Sequence, residues 1–251
     1  EIPAVISGRL YHVAADPSGL PVIGDWVVYK ISDGHARIES VLPRKTALKR
    51  DTATRKGRQR SSAQVIIANV DIIFLVVGLD TEVNLRRIER YLTIMGESGA
   101  DPVIILNKSD LCEDIGTQVD RVHSIAPDIP VHVTRAREQE GLDALNEYGA
   151  PGTTLAFIGS SGVGKSTLLN ALIGEHKMKV AESQTDPGRG MHTTTHRQLF
   201  ILQDGRIVVD NPGMRAIQLY ESEDGLERAF QDIHDLAGHC RFRNCSHQHE
   251  R

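Results

Sequence analysis

With 251 residues and 40 % hydrophobic side chains, the chain is long enough for one large domain with smaller attachments, and apolar enough for a real core. An aromatic content of 4 % suits a Val/Ile/Leu-packed α/β domain and argues against an aromatic-rich β-sandwich or a lectin-like surface. The formal net charge of -4 excludes a globally basic nucleic-acid binder, so any basic surface must be local.

In chain order, short β-type runs over 4–13, 25–31 and 36–42 are separated by turn signals at Asp16-Pro17-Ser18-Gly19 and Asp33-Gly34. This spacing predicts a small antiparallel barrel over 1–50 with Trp26 in its core, and so few aromatics favour phosphate tracking over base stacking. A basic run follows, with Arg44, Lys45, Lys49, Arg50, Arg55, Lys56, Arg58 and Arg60 against the single acid Asp51. It reads as a mobile linker over 51–64, serving either as a solvated connector or as a grip on phosphates. From 65 to 219 apolar runs alternate with helical patterns: 70–77, helix 84–98, 102–106, helix 115–125, 130–133, helix 141–148 and 154–158. Continuous apolar strands between amphipathic helices imply a parallel sheet covered on both faces. The run closes with a predicted hairpin, 197–203 and 206–210, turned at Asp204-Gly205. The most apolar stretch, 65–79, is interrupted by Asn69 and Asp71 and too short for a membrane span. Cys112, Cys240 and Cys245 are odd in number in a chain without a signal peptide, which points to a reducing cytoplasm.

Gly159-Ser160-Ser161-Gly162-Val163-Gly164-Lys165-Ser166 fits G-x-x-x-x-G-K-[ST] between a predicted strand and the helix opened by Thr167, the context a phosphate loop requires. Residues 159–167 are therefore the predicted phosphate-binding set. Backbone N–H groups and the helix N-terminus face the phosphates, Lys165 bridges the β- and γ-phosphates, and Ser166 ligates Mg²⁺. Asp210-Asn211-Pro212-Gly213 follows the apolar run 207–209, so Asp210 is a second Mg²⁺ candidate and the Gly213 N–H a γ-phosphate contact. Met191-His192-Thr193-Thr194-Thr195 lies between them in a Gly-rich segment. A loop threonine that completes the Mg²⁺ shell only while the γ-phosphate is present makes a switch; Thr194 is the first candidate, with its neighbours as alternatives.

Asn107-Lys108-Ser109-Asp110 supplies the base site. The Asp110 carboxylate accepts from N1–H and N2–H₂ of guanine, whereas adenine would leave it unpaired. Asn107 braces the loop and reaches the base, and the Lys108 stem packs on the ring. Thr134-Arg135-Ala136 stands where GTPases usually carry a Ser-Ala pair, so the Ala136 backbone is the expected contact for guanine O6, while Arg135 departs from the pattern. N-K-x-D precedes the phosphate loop, the reverse of the usual order. Ligands bind where the carboxyl ends of parallel strands converge, so a circular permutation, with motif order G4-G5-G1-G2-G3, preserves the site.

These motifs, together with Gly24-Asp25-Trp26-Val27, Ala68-Asn69-Val70-Asp71 and the terminal Cys/His cluster, resemble the RsgA (YjeQ/YloQ) family of circularly permuted GTPases over nearly the whole chain. The resemblance implies an α/β circularly permuted P-loop GTPase domain, an N-terminal OB-fold β-barrel that binds RNA, and a C-terminal helical zinc-binding module over 220–251. It further implies a GTPase stimulated by the 30S ribosomal subunit and acting with 16S rRNA in late small-subunit maturation, as a cytoplasmic monomer without membrane contact. Met214 follows Gly213 where many GTPases carry a water-orienting glutamine. The resemblance assigns that role to His192, the alternative being that His192 braces the switch. Cys240, Cys245 and His247 offer soft and borderline ligands at the short spacing of a structural Zn²⁺ site. The family's further cysteine would lie beyond Arg251, so a truncated module, or completion by His249, His239 or water, is expected. Two other classes compete: a P-loop ATPase or kinase, against which Asp110 argues, and a nucleotide-gated RNA-binding protein with little intrinsic catalysis.

Overall fold

The N-terminal β-type runs form strands β1 (Ala4–Ile6), β2 (Val27–Ser32) and β3 (His35–Val41), in the order β1-β3-β2. They belong to a computed structural model that describes residues 2–14, 17–32, 34–51, 63–174 and 198–210. β2 and β3 pair antiparallel, but β1 runs parallel to β3, which departs from the expected antiparallel barrel. The reason is local. The run expected as one strand over 4–13 breaks at Ser7, whose Oγ accepts the Leu10 N–H at 3.1 Å and caps helix α1 (Gly8–Val13). The expectation of a core Trp26 is also corrected, since the residue is 69 % exposed. Side chains alternate across an extended chain. Asp25 turns inward, and its neighbour Trp26 turns out.

Asp25 faces inward to meet Arg44, which the linear charge pattern had grouped with a solvated run. The Arg44 guanidinium donates to both Asp25 carboxylate oxygens at 2.7 Å, and to the carbonyls of Ser18 (2.6 Å) and Leu20 (2.9 Å). This fork leaves the Asp25 side chain only 1 % exposed, and the carboxylate raises the Arg44 pKa above its ordinary value despite partial burial. Beyond Arg44, β4 (Ala47–Asp51) pairs antiparallel with β5 (Ala63–Ala68), so the strands that flank residues 52–62 are partners. Asn69 fastens this pair to the N-terminal sheet. In a left-handed conformation (φ +52°), it accepts from the Lys45 N–H at 2.9 Å and donates to the Gly24 carbonyl at 2.9 Å. Gly24, at φ +87°, lies against the Ala68 carbonyl so closely that any Cβ would collide with it.

The main sheet comprises β6 (Ile72–Gly78), β7 (Asp101–Asn107), β8 (Val131–Thr134), β9 (Thr154–Ile158), β10 (Gln198–Ile201) and β11 (Ile207–Asp210), ordered β10-β11-β9-β6-β7-β8. All strands are parallel except β10, which forms the expected hairpin with β11. The central strands are buried on both faces, as parallel strands covered by helices must be. Phe74 and Phe157 stack at 4.8 Å between ring centroids within a core that includes Ile105, Leu155, Leu168 and Val208. Helix α2 (Leu85–Ser98) starts at Asn84, whose side chain accepts the Arg87 N–H, and buries Ile88, Tyr91 and Met95 along one stripe. Helix α3 (Ile115–Ile125) has the expected bounds, with Asp114 as its cap. The helix expected over 141–148 shortens to α4 (Asp143–Asn146), because Gly141 takes φ +73° and so cannot start it. Helix α5 (Lys165–Ile173) begins two residues earlier than expected. Among the described residues no helix is long and apolar enough to cross a membrane.

From β6 the chain proceeds through β7 to β8 on one side, and after β9 it adds the β10–β11 hairpin on the other, with β11 next to β9. The reversal between β6 and β9 opens a crevice at the strands' carboxyl ends, the position at which such sheets bind ligands.

Candidate functional site

At that crevice, β9 ends on Ile158 and the chain loops through 159–164 into α5. Two glycines are dictated by close approach. Gly159 (φ +140°) lies against the Val76 carbonyl and Gly164 (φ +102°) against the Asn107 carboxamide, where a Cβ would clash in each case. Because Gly164 caps α5, the first N–H groups of the helix open toward the loop, which suits an anion. Lys165 Nζ donates to the carbonyls of Gly159 (2.8 Å) and Ser160 (2.5 Å), so its ammonium is held over the loop. Ser166 and Thr167 follow in the first turn, half-buried. Arg87, which the sequence did not single out, donates from α2 to Ser160 Oγ at 3.3 Å.

Asn107 closes β7 and joins the phosphate loop to the base loops. Its Nδ2 donates to the Val163 carbonyl at 2.8 Å, while its Oδ1 accepts from Thr134 Oγ1 (3.0 Å) and the Ala136 N–H (3.1 Å). The side chain makes three hydrogen bonds, and the residue is 3 % exposed. Ala136 N–H, the expected contact for guanine O6, is therefore engaged by Asn107. Lys108 adopts φ +65°, and its ammonium binds Asp80 at 2.6 Å, which fixes the direction of its stem. Asp80 carries no motif signal; only its position two residues past β6 hints at a place on the rim. Asp110, in the short turn that follows, is 38 % exposed at its side chain, with Arg135 Nε 3.9 Å away.

Asp210 ends β11, which runs parallel to β9, so its backbone lies on the same edge as the phosphate loop. Ser166 and Asp210 thus come from neighbouring elements, a placement that suits a shared Mg²⁺. Among the described residues no group of three or more His, Cys, Asp or Glu could hold a metal by itself. A phosphate-bound ion, with substrate oxygens and water in its shell, does not require one. His192, Thr194, Gly213, Cys240, Cys245 and His247 lie outside the described residues. What the described residues build is a cationic phosphate loop, with Lys165 and Arg87, joined by one buried carboxamide to a loop presenting an open carboxylate.

Comparison with known proteins agrees with this arrangement. The family model described as RsgA GTPase matches residues 41–220. The chain is 45 % identical over 251 residues to the small ribosomal subunit biogenesis GTPase RsgA of Methanosarcina acetivorans, covering 99 % of this chain and 66 % of that protein. It is 46 % identical to the protein of the same name from Syntrophotalea carbinolica, covering 100 % and 70 %. The chain thus spans about two thirds of the length of the curated relatives it matches. Among solved structures it is similar to YjeQ from Thermotoga maritima, with TM-score 0.61, 29 % identity, and coverage of 100 % of this chain and 80 % of that one. It shares its fold with YloQ, a circularly permuted GTPase, at TM-score 0.52 and 24 % identity over 98 % and 75 % of the two chains. The permuted order of base and phosphate loops, met first as an anomaly of the sequence, is therefore a shared trait, and the chain belongs to the RsgA GTPase family.

Proposed function

We propose that this chain binds guanine nucleotides and hydrolyses GTP to GDP and phosphate, in the service of small ribosomal subunit biogenesis. The observation that carries the reading is the Asn107 carboxamide, which spans from the Val163 carbonyl to Thr134 and Ala136 and so sets the phosphate and base loops on one edge. Lys165 and the N–H groups of 159–167 hold the β- and γ-phosphates, and Asp110 accepts from N1–H and N2–H₂ of guanine. Ser166, Asp210 and Thr194 would hold Mg²⁺, which would supply charge neutralisation at the phosphates. The Gly213 N–H meets the γ-phosphate, and His192 orients the attacking water in place of the missing glutamine. Without that glutamine, basal turnover is slow, on the order of 10⁻³ s⁻¹ or less, until a partner orders the switch.

The relatives' name, small ribosomal subunit biogenesis GTPase, supports the 30S subunit as that partner, with 16S rRNA as the surface met. In this reading residues 1–50 belong to an OB-fold that binds RNA. Exposed Trp26 and Tyr29 add stacking faces to its phosphate contacts. Residues 51–64 form the basic connector and 65–219 the GTPase domain. Cys240, Cys245 and His247, whose donor set suits Zn²⁺, form a structural centre within 220–251. The protein works as a cytoplasmic monomer.

Single-turnover hydrolysis of labelled GTP, with and without purified 30S subunits, tests this. Stimulation of at least ~100-fold that is lost in Lys165→Ala is expected. No hydrolysis above the Lys165→Ala background in the presence of 30S subunits would sink the enzymatic reading, and equal competition by ATP would sink the assignment of the base.

A further inference from the structure

Arg135 is the residue at which this chain departs from the Ser-Ala pair usual in GTPases, and its surroundings give the departure a use. It follows β8 directly and pairs with Glu140 across a tight loop: its N–H donates to the Glu140 carbonyl at 3.0 Å and its carbonyl accepts the Glu140 N–H at 3.2 Å. Gln139 (φ +59°) and Gly141 (φ +73°) make the turn. The side chain is held from both ends. Nη1 lies 3.6 Å from Glu140 Oε2, and Nε lies 3.9 Å from Asp110 Oδ1, too far for a hydrogen bond. Nε is buried and has no hydrogen-bond partner, an arrangement that is costly unless something else accepts from it.

Guanine presents on one edge two donors, N2–H₂ and N1–H, followed immediately by the acceptor O6. A carboxylate that takes the two donors therefore needs a donor beside it for O6. The backbone N–H expected there, that of Ala136, already serves Asn107 Oδ1 at 3.1 Å. The guanidinium of Arg135 lies next to Asp110, its side chain is 35 % exposed and it hydrogen-bonds neither Asp110 nor Glu140, so it keeps outer N–H donors for a base; arginine facing O6 and N7 is the commonest specific contact to guanine. We infer that Arg135 is a second base-reading residue, which donates to guanine O6 while Asp110 accepts from N1 and N2. Adenine is then refused twice, because its N6 amino group would meet the guanidinium and its N1 lone pair the carboxylate.

This inference rests on Asp110 reading guanine, and the test separates the two. Dissociation constants for GDP, 6-thio-GDP, IDP and XDP are measured by titration on wild type, Arg135→Ser and Asp110→Asn. Sulfur at position 6 is a poor acceptor, so wild type should bind 6-thio-GDP about tenfold more weakly than GDP. In Arg135→Ser that ratio should fall to within about twofold and the GDP constant should rise about tenfold, while the GDP/IDP ratio, which reports on Asp110, stays as in wild type. An unchanged thio ratio in Arg135→Ser overturns the role of Arg135. Asp110→Asn, whose amide can donate to the 2-oxo group of xanthine, should come to prefer XDP over GDP. If it does not, the reading of Asp110 fails and the inference falls with it.

Discussion

Removal of the Asn107 carboxamide tests the junction on which the site depends. In Asn107→Ala, the Val163 carbonyl and the Ala136 N–H lose partners at 2.8 and 3.1 Å, and Thr134 Oγ1 loses an acceptor at 3.0 Å. Each main-chain group left unpaired in a buried setting costs about 1–3 kcal/mol, whereas the hydroxyl can rotate toward another acceptor at a cost of about 1 kcal/mol or less. The sum is about 2–7 kcal/mol, read as a shift in the urea midpoint at unchanged slope. The same loss frees the phosphate loop from the base loop, so GDP must order both, and its dissociation constant should rise at least tenfold, about 1.4 kcal/mol. Thr134→Val alone should cost about 1 kcal/mol, but close to nothing in the Asn107→Ala background, since its partner is already gone. A loss below about 1 kcal/mol with GDP affinity intact, or fully additive effects in the double variant, would refute the reasoning.

Two further outcomes follow from the surrounding scaffold. Arg206 is 3 % exposed, and it donates to the carbonyls of Leu145 (3.1 Å) and Tyr148 (3.0 Å) and to Asp204. Arg206→Met should therefore lower stability by about 3–5 kcal/mol and Tm by roughly 10 °C in thermal unfolding, and a change under 2 °C would exclude a structural role. His132 bonds Tyr148 Oη at 2.6 Å, and its pKa is lowered by burial from its ordinary value of 6.5, with Glu147 opposing. The unfolded chain binds that proton first, so stability falls as pH drops below about 6.5 and levels off beneath the folded-state pKa. In His132→Gln this part of the pH dependence of Tm should vanish, and profiles that superimpose between pH 7 and 5 would contradict the assignment.

Elements specified by local pattern were legible in the sequence. The apolar run of β9, the Asp114-capped α3 and the Asp204-Gly205 hairpin depend on near neighbours, and their bounds fall within two residues of where periodicity and turn residues put them. The phosphate and base loops were legible for a different reason: tight turns and close backbone approach admit few residue types, so Gly159, Gly164 and Asn107 are nearly dictated. What escaped the sequence depends on distant partners. Arg44 looked like one more charge in a basic run, but its acceptor, Asp25, lies nineteen positions upstream. Asp80 and Arg87 meet the site through Lys108 and Ser160, twenty-eight and seventy-three positions away. Trp26 was misplaced because hydrophobicity alone does not say which of two alternating neighbours, Asp25 or Trp26, turns inward; the bidentate pairing with Arg44 decides it.

Permutation moves the difficulty of building this site from its chemistry to its register. The two central strands, β6 and β9, are neighbours in space but lie on opposite sides of β7 and β8 in sequence, so nothing local aligns them. Asp71 performs that alignment just before β6 begins. Its N–H donates to the Thr154 carbonyl at 2.9 Å, its carboxylate accepts the Thr154 N–H at 2.7 Å, and its carbonyl accepts the Asp101 N–H at 2.8 Å. One residue thus sets β6 against β9 on one side and β7 on the other. A parallel strand that slipped by one residue would turn its buried side chains to the opposite face. At the far end of the same strands, such a slip would also carry the Val76 carbonyl away from Gly159, and the Asn107 carboxamide away from Val163. The position of the phosphate loop relative to the base loop is therefore fixed at both ends of the sheet, by Asp71 where the strands start and by Asn107 where they finish.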